Sequence, residues 1–499
     1  MASSNRWLIL AIVSSALLLI VIDMTVLYTA LPRLTHDLGA TAAEKLWIVN
    51  AYPLVVAGLL PGFGTLGDRV GHKRLFLGGL AVFGVASLMA AYAGTPAVLI
   101  AARVVLAVGA AMMMPATLSI IRLTFIDERE QALAFGIWSS VASGGAAFGP
   151  IVGGLMLESF WWGSVFLINA PIVLVAGVLA IIVIPEADTR RDRPWDLIAS
   201  IQILSALVGI IYAIKEIAKP SPSYGSFVLA GVVGIAALAL FIRRQKYAAD
   251  PLVDFALFRD ARFASGVAAA LIASLALVGV ELAISQRLQL VLGLSPFEAG
   301  LFILPIPLAA FVGSPLAGLG LPRWGGTPIL WSALLLAAAG LSGYLLQLDT
   351  AGPLQIASMA ALGLGLGAAM TAASSMIMLS APSDRAGMAA SIEEVSYELG
   401  GAVGIAILGS LLSAVYATSL VLPDSLGASA MAYDGLDQAL LVAEGMHGPM
   451  ADDLRALARA AFDRAFVTVI VAATVILVVT GCAVGLWPRR GRAAIGACR

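Results

Sequence analysis

The chain has 499 residues, 60% of them hydrophobic and only 12% charged, an apolar content well above the roughly half of a soluble protein; no sizeable soluble domain remains, and a bilayer is the implied solvent. Lysines and arginines (29) nearly balance aspartates and glutamates (30), for a net charge of −1, which argues against a nucleic-acid partner, whose phosphates require a concentrated basic surface. The two cysteines, Cys482 in the last apolar run and Cys498 in the basic tail, make no disulfide framework.

Apolar runs of about twenty residues recur from end to end, each long enough to cross a hydrocarbon core of roughly 30 Å. They predict an all-α polytopic membrane protein with fourteen transmembrane helices near 7–31, 46–66, 75–94, 97–121, 132–156, 163–184, 197–214, 225–242, 263–285, 299–319, 327–346, 353–380, 391–418 and 465–487. The first run contains Asp23 and lacks a small-residue cleavage site, which predicts a retained helix rather than a signal peptide. Lys and Arg concentrate in alternate connections: Arg69, Lys73, Arg74; Arg122, Arg129; Arg190, Arg191, Arg193; Arg243, Arg244, Lys246, Arg259, Arg262; Arg323; Arg385; and the tail Arg489, Arg490, Arg492, Arg499. The opposite connections hold Arg33, Lys45, Lys215, Lys219, Arg287 and the three arginines of one long loop. The positive-inside rule then places both termini in the cytoplasm of a bacterial inner membrane. The long connection, about 419–464, falls outside; it carries Pro423 and a helically periodic stretch, Met450–Ala461, and reads either as a surface lid or as a passive loop.

A repeat divides the chain. Gly64-Thr-Leu-Gly-Asp68-Arg69-Val-Gly71 follows the second span, and Gly318-Leu-Gly-Leu-Pro322-Arg323-Trp-Gly325 follows the tenth, with Gly, Arg and Gly at identical offsets. If each loop ends the second helix of a six-helix half, the arrangement is 6+2+6: an N-terminal half at 1–186, a two-helix insertion at 187–258 and a C-terminal half at 259–499. Parallel halves of this kind belong to secondary transporters. In the first loop the glycines make a tight turn, and Asp68 can accept from a neighbouring helix N-terminus or pair with an arginine, locking one conformation.

Several motifs carry a resemblance. Gly64–Arg74, with His72 and Lys73 in two of its basic positions, resembles the Gly-x-Leu-x-Asp-Arg-x-Gly-Arg-Arg-Arg signature of the major facilitator superfamily. Arg103 followed by Gly109 resembles the superfamily's arginine motif in the fourth span, and Gly145-Ala-Ala-Phe-Gly149-Pro150-Ile-Val-Gly153-Gly154 its antiporter motif in the fifth. Asp23-Met-Thr-Val with Ala30-Leu31-Pro32 resembles the fourteen-helix drug/proton antiporter branch, and the likeness extends through Trp161–Pro171, Ser295–Pro305 and Ile392–Gly400. It implies a major facilitator fold and proton-coupled export of lipophilic cations of the quaternary ammonium, dye, biguanide or viologen type. Gating is expected of Gly64, Asp68, Arg69, Gly71, Arg74, Arg103 and Arg323, and for Gly145, Gly149, Pro150, Gly153 and Gly154 the resemblance implies a part in the antiport cycle beyond close helix packing.

Charges inside apolar spans are costly and are functional candidates by default. Asp23, past the middle of the first span, can attract a cation, carry a proton, or pair with Arg103. Glu281, in the outer half of the ninth span, either snorkels outward or supplies a second acidic site. Glu393 and Glu394 open the thirteenth span as helix-start acids or pathway acids; Glu398, four residues after Glu394, shares its face, and Tyr397 offers a ring to a cation. Asn50, in Trp47-Ile-Val-Asn-Ala-Tyr52, stands where the resembled exporters carry an acid, which weakens the expectation of divalent substrates. Tyr52 and Trp138 line a pocket or pack, while Trp161 and Trp162 read as interface anchors.

The excess of acids favours cations exchanged for protons, since one acid serves both ligands by competition. Arg103 keeps open the transport of an organic anion or metabolite, and a receptor or scaffold is the reading from another class. No His-Glu-x-x-His site, Gly-x-Ser-x-Gly elbow or phosphate-binding loop is present, and His36, His72 and His447 lie in separate connections, so no enzyme, metal, cofactor or direct ATP drive is expected. The expected partners are small lipophilic cations, protons and lipids, with the chain acting as a monomer.

Overall fold

The computed structural model describes residues 5–186, 195–217, 222–248, 251–348, 352–422, 430–446 and 449–486. Arg190, Arg191, Arg193, Lys219, Pro423, His447, Cys498 and the four tail arginines lie outside the described residues. The N-terminal helices are α1 Asn5–Asp37, α2 Ala42–Val70, α3 His72–Ala91, α4 Pro96–Thr124, α5 Glu128–Ser159, α6 Ser164–Leu167 and α7 Asn169–Val183. Then come α8 Leu197–Ile217 and α9 Tyr224–Tyr247. The remainder are α10 Ala261–Gln286, α11 Pro296–Ile303, α12 Pro305–Trp324, α13 Gly326–Leu345, α14 Pro353–Ser380, α15 Ala386–Ser419, α16 Leu436–Glu444 and α17 Pro449–Leu486. Among the described residues, fourteen helical stretches are long and apolar enough to cross a membrane, as the sequence predicts.

Local chemistry sets the breaks. Gly71 (φ 98°) and Gly325 (φ 81°) each end one helix and start the next, in a left-handed backbone conformation that side chains resist, which is why both copies of the repeated loop keep this glycine. The helices leading into the two loops also start alike. Thr41 accepts from the Glu44 N–H and Glu44 accepts from the Thr41 N–H at 2.8 Å; Ser295 and Glu298 repeat this capping box at α11. The Thr41 backbone N–H, then its hydroxyl, hold the Glu44 carboxyl below the usual carboxylate range. The tenth span is interrupted at Pro305, which has no N–H to continue the ladder of α11.

Two connections depart from the expectation. The last helix starts at Pro449, so it absorbs Met450–Ala461, and the connection before it is shorter than 419–464. The reason is a continuous apolar face: Leu454, Ala458, Ala461, Phe462 and Ala465 are buried in series. Leu436, Ala439 and Ala443 of α16 are buried in the same cluster, so α16 packs on the C-terminal half rather than roofing the centre. The seventh span also runs past 214, to Ile217, which puts Lys215 inside a helix rather than in an outer loop.

One apolar cluster is built chiefly from the first six spans and a second chiefly from the last six. A third joins Ile203, Leu207 and Ile211 of α8 and Phe241 of α9 to Leu54 and Ala57 of α2 and Ala402 of α15. The halves meet where α2 packs on α15 and α5 on α12, and α8 lies beside the first of these seams.

Candidate functional site

The Gly64–Arg74 loop ends on a helix of the other half. Asp68 accepts from the N–H of Gly387 at 2.8 Å and of Met388 at 3.1 Å, capping the start of α15, while His72 Nε2 lies 3.2 Å from the same carboxylate. Of the two roles open to Asp68, this is the helix-terminus one. The backbones beside it touch: a Cβ on Gly64 would fall 2.3 Å from the Gly387 carbonyl oxygen and 2.7 Å from Ser391 Cβ. Arg122 donates to the Ala381 carbonyl, and Ser140 Oγ donates to the Phe311 carbonyl at 2.7 Å. These cross-half bonds all lie between the basic face and the middle of the spans.

The neighbouring basic residues do other work. Lys73 donates to the Ile181 carbonyl at 2.8 Å, and Arg74 pairs with Glu186 at 2.8 Å, so Arg74 ties α3 to the end of α7 within one half instead of bridging the seam. Arg323 is exposed with its guanidinium over the Trp324 ring at 6.0 Å; with Pro322 in place of an acid, the second loop has no carboxylate to cap a helix. The insertion is pinned on both sides of the seam, by Trp195 Nε1 donating to the Gly62 carbonyl (3.2 Å) and by the Arg385–Asp254 ion pair.

Asp23 is 1% exposed and pairs with Arg103, also 1% exposed, at 2.6 Å. Asn169 Nδ2 donates to the other oxygen of Asp23 at 3.2 Å, and Arg103 Nε donates to the Ile48 carbonyl at 3.4 Å. The Arg103 guanidinium stands over the Tyr52 ring, 4.4 Å from its centroid. Tyr52 therefore serves an internal cation and does not line an open pocket. Trp138 is also packed in the core, its Nε1 donating to Thr117 Oγ1 at 3.1 Å. Asn169, unnoticed in the sequence, completes this cluster; a polar residue two before Pro171 in an apolar run was the available signal.

The glycine-rich stretch of α5 meets α1. A Cβ on Gly145 would reach Val21 at 3.0 Å, one on Gly149 would reach Thr25 Oγ1 at 1.8 Å, and one on Gly153 would meet Thr29 and Val26 at 3.4 Å. Gly154 faces open space, so close packing does not explain it. Pro150 lies within α5, its side chain outside what is described. Gly149→Ala is expected to lower stability by about 1–3 kcal/mol, the usual cost of overpacking. Thr25→Ala removes the opposing oxygen and is expected to restore most of it; thermal unfolding in detergent measures both.

The acids of α15 face another way. Glu393 and Glu394 are buried, and neither oxygen of Glu393 nor Oε1 of Glu394 has a hydrogen-bond partner; Ser374 of α14 stands beside Glu393 without hydrogen-bond geometry. They are therefore not solvated helix-start acids. Glu398 is one turn further along and partly exposed. Tyr397 and Ser274, Leu277 and Met370 are among the walls of an apolar cavity of about 120 Å³ between α10, α14 and α15. Glu281 lies one turn beyond Leu277 on α10, partly buried. It has no claim on Arg287, whose buried guanidinium pairs with Asp463 at 2.7 Å. Asn50 Oδ1 accepts from Lys215 Nζ at 2.8 Å. Lys215 was missed because its place near the end of an apolar run reads as a loop cation.

A family model described as Major Facilitator Superfamily matches residues 13–405. The methyl viologen resistance protein SmvA of Salmonella typhimurium is 42% identical over 463 residues, 92% of this chain and 93% of that protein. The multidrug efflux pump LfrA of Mycolicibacterium smegmatis is 38% identical over 495 residues, 98% and 97% of the two chains. The crystal structure of the human organic anion transporter MFSD10 (TETRAN) superposes with a TM-score of 0.63 at 14% identity, covering 96% of this chain and all (100%) of that one, a likeness of fold.

Proposed function

The chain belongs to the Major Facilitator Superfamily, and we propose that it is a proton-coupled antiporter that exports lipophilic cationic drugs and antiseptics by alternating access. It is a membrane transporter and not an enzyme. The observation that carries the proposal is the row Glu393, Glu394 and Glu398 on α15, the helix that forms the seam with α2. Both oxygens of Glu393 and one of Glu394 are buried without a hydrogen-bond partner. An unpaired buried charge costs several kcal/mol, so such acids hold protons while they stay buried. When the halves rock, hydration favours release of the protons, and the resulting carboxylates attract a lipophilic cation to the neighbouring apolar cavity and the Tyr397 ring. Rebinding of protons on the other side removes that attraction and expels the cation.

Both termini then face the cytoplasm of a bacterial inner membrane, a reading supported by the basic residues gathered in alternate connections. The end of the seam closed by Asp68, Gly64 and Gly387 is then the cytoplasmic one. Asp23 in the N-terminal half, held by Arg103, is a second proton site that exchanges its partner during the cycle. The names of SmvA and LfrA support cations and multiple drugs as substrates. Organic-anion transport loses its main support, because Arg103 is neutralised by Asp23.

The test is ethidium uptake into inverted vesicles with an imposed pH gradient. Uptake should collapse with the gradient, and Glu394→Gln should lower it about tenfold, short of the ~10²–10⁴ that a sole proton-transfer group contributes, because Glu393 and Glu398 remain. Uptake indifferent to the gradient would refute proton antiport; parental uptake by Glu394→Gln would remove that residue from the site.

A further inference from the structure

The insertion contributes a side chain to the site. Beyond the apolar contacts of α8 with α2 and α15, Tyr212 stacks on Trp47 with ring centroids 6.1 Å apart, and Lys215 donates to Asn50 at 2.8 Å. Lys215 lies two residues from the end of α8, where a four-carbon stem can carry its ammonium out to the aqueous face. It turns inward instead, onto the amide of Asn50, and its neighbours Tyr212 and Ile214 pack in one cluster with Val395 and Leu399 of α15, which flank Glu398, so that the ammonium and this acid sit within reach of each other's charge. Asn50 accepts a hydrogen bond but brings no charge. An ammonium so placed feels the charge that a cationic ligand of Glu398 would feel.

We propose that Lys215 is a built-in counter-cation of the transport site: it holds the cation position between Asn50 and Glu398 when no substrate is bound, and its charge sets a preference for singly over doubly charged substrates. This rests on the cation-export reading of the same site. A lipophilic monocation displaces the ammonium from Glu398 at modest electrostatic cost. A dication meets twice the repulsion from the same ammonium, which remains tethered nearby by its helix. The two-helix insertion thus tunes recognition rather than merely separating the halves.

The experiment uses the full-length protein in detergent, with tetraphenylphosphonium and methyl viologen as the mono- and dicationic probes. Lys215→Gln keeps a donor for Asn50 and removes the charge, and Lys215→Met keeps the stem. Both are expected to tighten methyl viologen binding about tenfold, as removal of one positive charge at partly desolvated range implies, and tetraphenylphosphonium binding by a smaller factor. Lys215→Arg keeps the charge and should retain the parental ratio of affinities. A parent that binds both probes, with the neutral variants unchanged or weaker for methyl viologen, overturns this inference alone. A parent that binds neither probe overturns the cation reading and the inference with it.

Discussion

Gly64→Ala is expected to reduce transport about a hundredfold while leaving each half folded. A Cβ at this position falls 2.3 Å from the Gly387 carbonyl oxygen and 2.7 Å from Ser391 Cβ, both on α15, so no single side-chain rotation relieves the clash. The seam must part by more than an ångström, and the hydrogen bonds from Gly387 and Met388 to Asp68 go with it. Overpacking against backbone at the upper end of the usual cost, about 3 kcal/mol, shifts a two-state equilibrium roughly a hundredfold, at about 1.4 kcal/mol per factor of ten. The shift disfavours the closed seam and leaves the opposite state unstrained, because the clash exists only where α2 and α15 meet. Ser391, fully buried here, reports on it. In a background lacking Cys482 and Cys498, Ser391→Cys should be inert to a membrane-impermeant maleimide applied from the basic face, and reactive once Gly64→Ala is added. Parental transport by Gly64→Ala would show that this contact is not a gate.

Much of this gate was legible in the sequence, because its chemistry is local. A glycine that turns the chain between two apolar runs, with an acid three residues before it, announces a tight turn and a carboxylate at a helix end; Gly71 with φ 98° and Asp68 fit that description. The repeat was legible for the same reason, and its second landmark, the capping boxes at Thr41/Glu44 and Ser295/Glu298, stood in the letters unread. What hydropathy does not encode is which charged groups face each other across helices distant in sequence. Lys215 looked like a loop residue because an apolar window ends near it, yet its partner Asn50 lies 165 positions away. Arg74 and Asp68 sit in one motif but serve different contacts, one within a half and one across the seam. Trp138 and Tyr52 carry the same aromatic signal whether they line a cavity or pack. Only the third dimension puts Thr117 and Arg103 against them.

Asp23→Asn is expected to be the most destabilising substitution of a single atom in this chain, and its pairing with a second substitution separates structure from function. Replacing one carboxylate oxygen by an amide nitrogen leaves the Arg103 guanidinium, 1% exposed, without a counter-charge, with a neutral amide oxygen, the Ile48 carbonyl and the Tyr52 ring as its remaining partners. Breaking a buried ion pair from one side costs about 3–5 kcal/mol, because the surviving charge stays desolvated. Thermal unfolding in detergent should fall accordingly, and transport should be lost. Asp23→Asn combined with Arg103→Gln removes both charges, and neutral replacement of a buried pair is often tolerated or stabilising. The double variant should therefore recover most of the lost stability. Transport is expected to stay lost. An amide at position 23 cannot take up and release a proton, and nothing in α15 replaces a titrating group in the N-terminal half. Recovery of transport together with stability would make the Asp23–Arg103 pair a brace and leave proton coupling to Glu393, Glu394 and Glu398 alone.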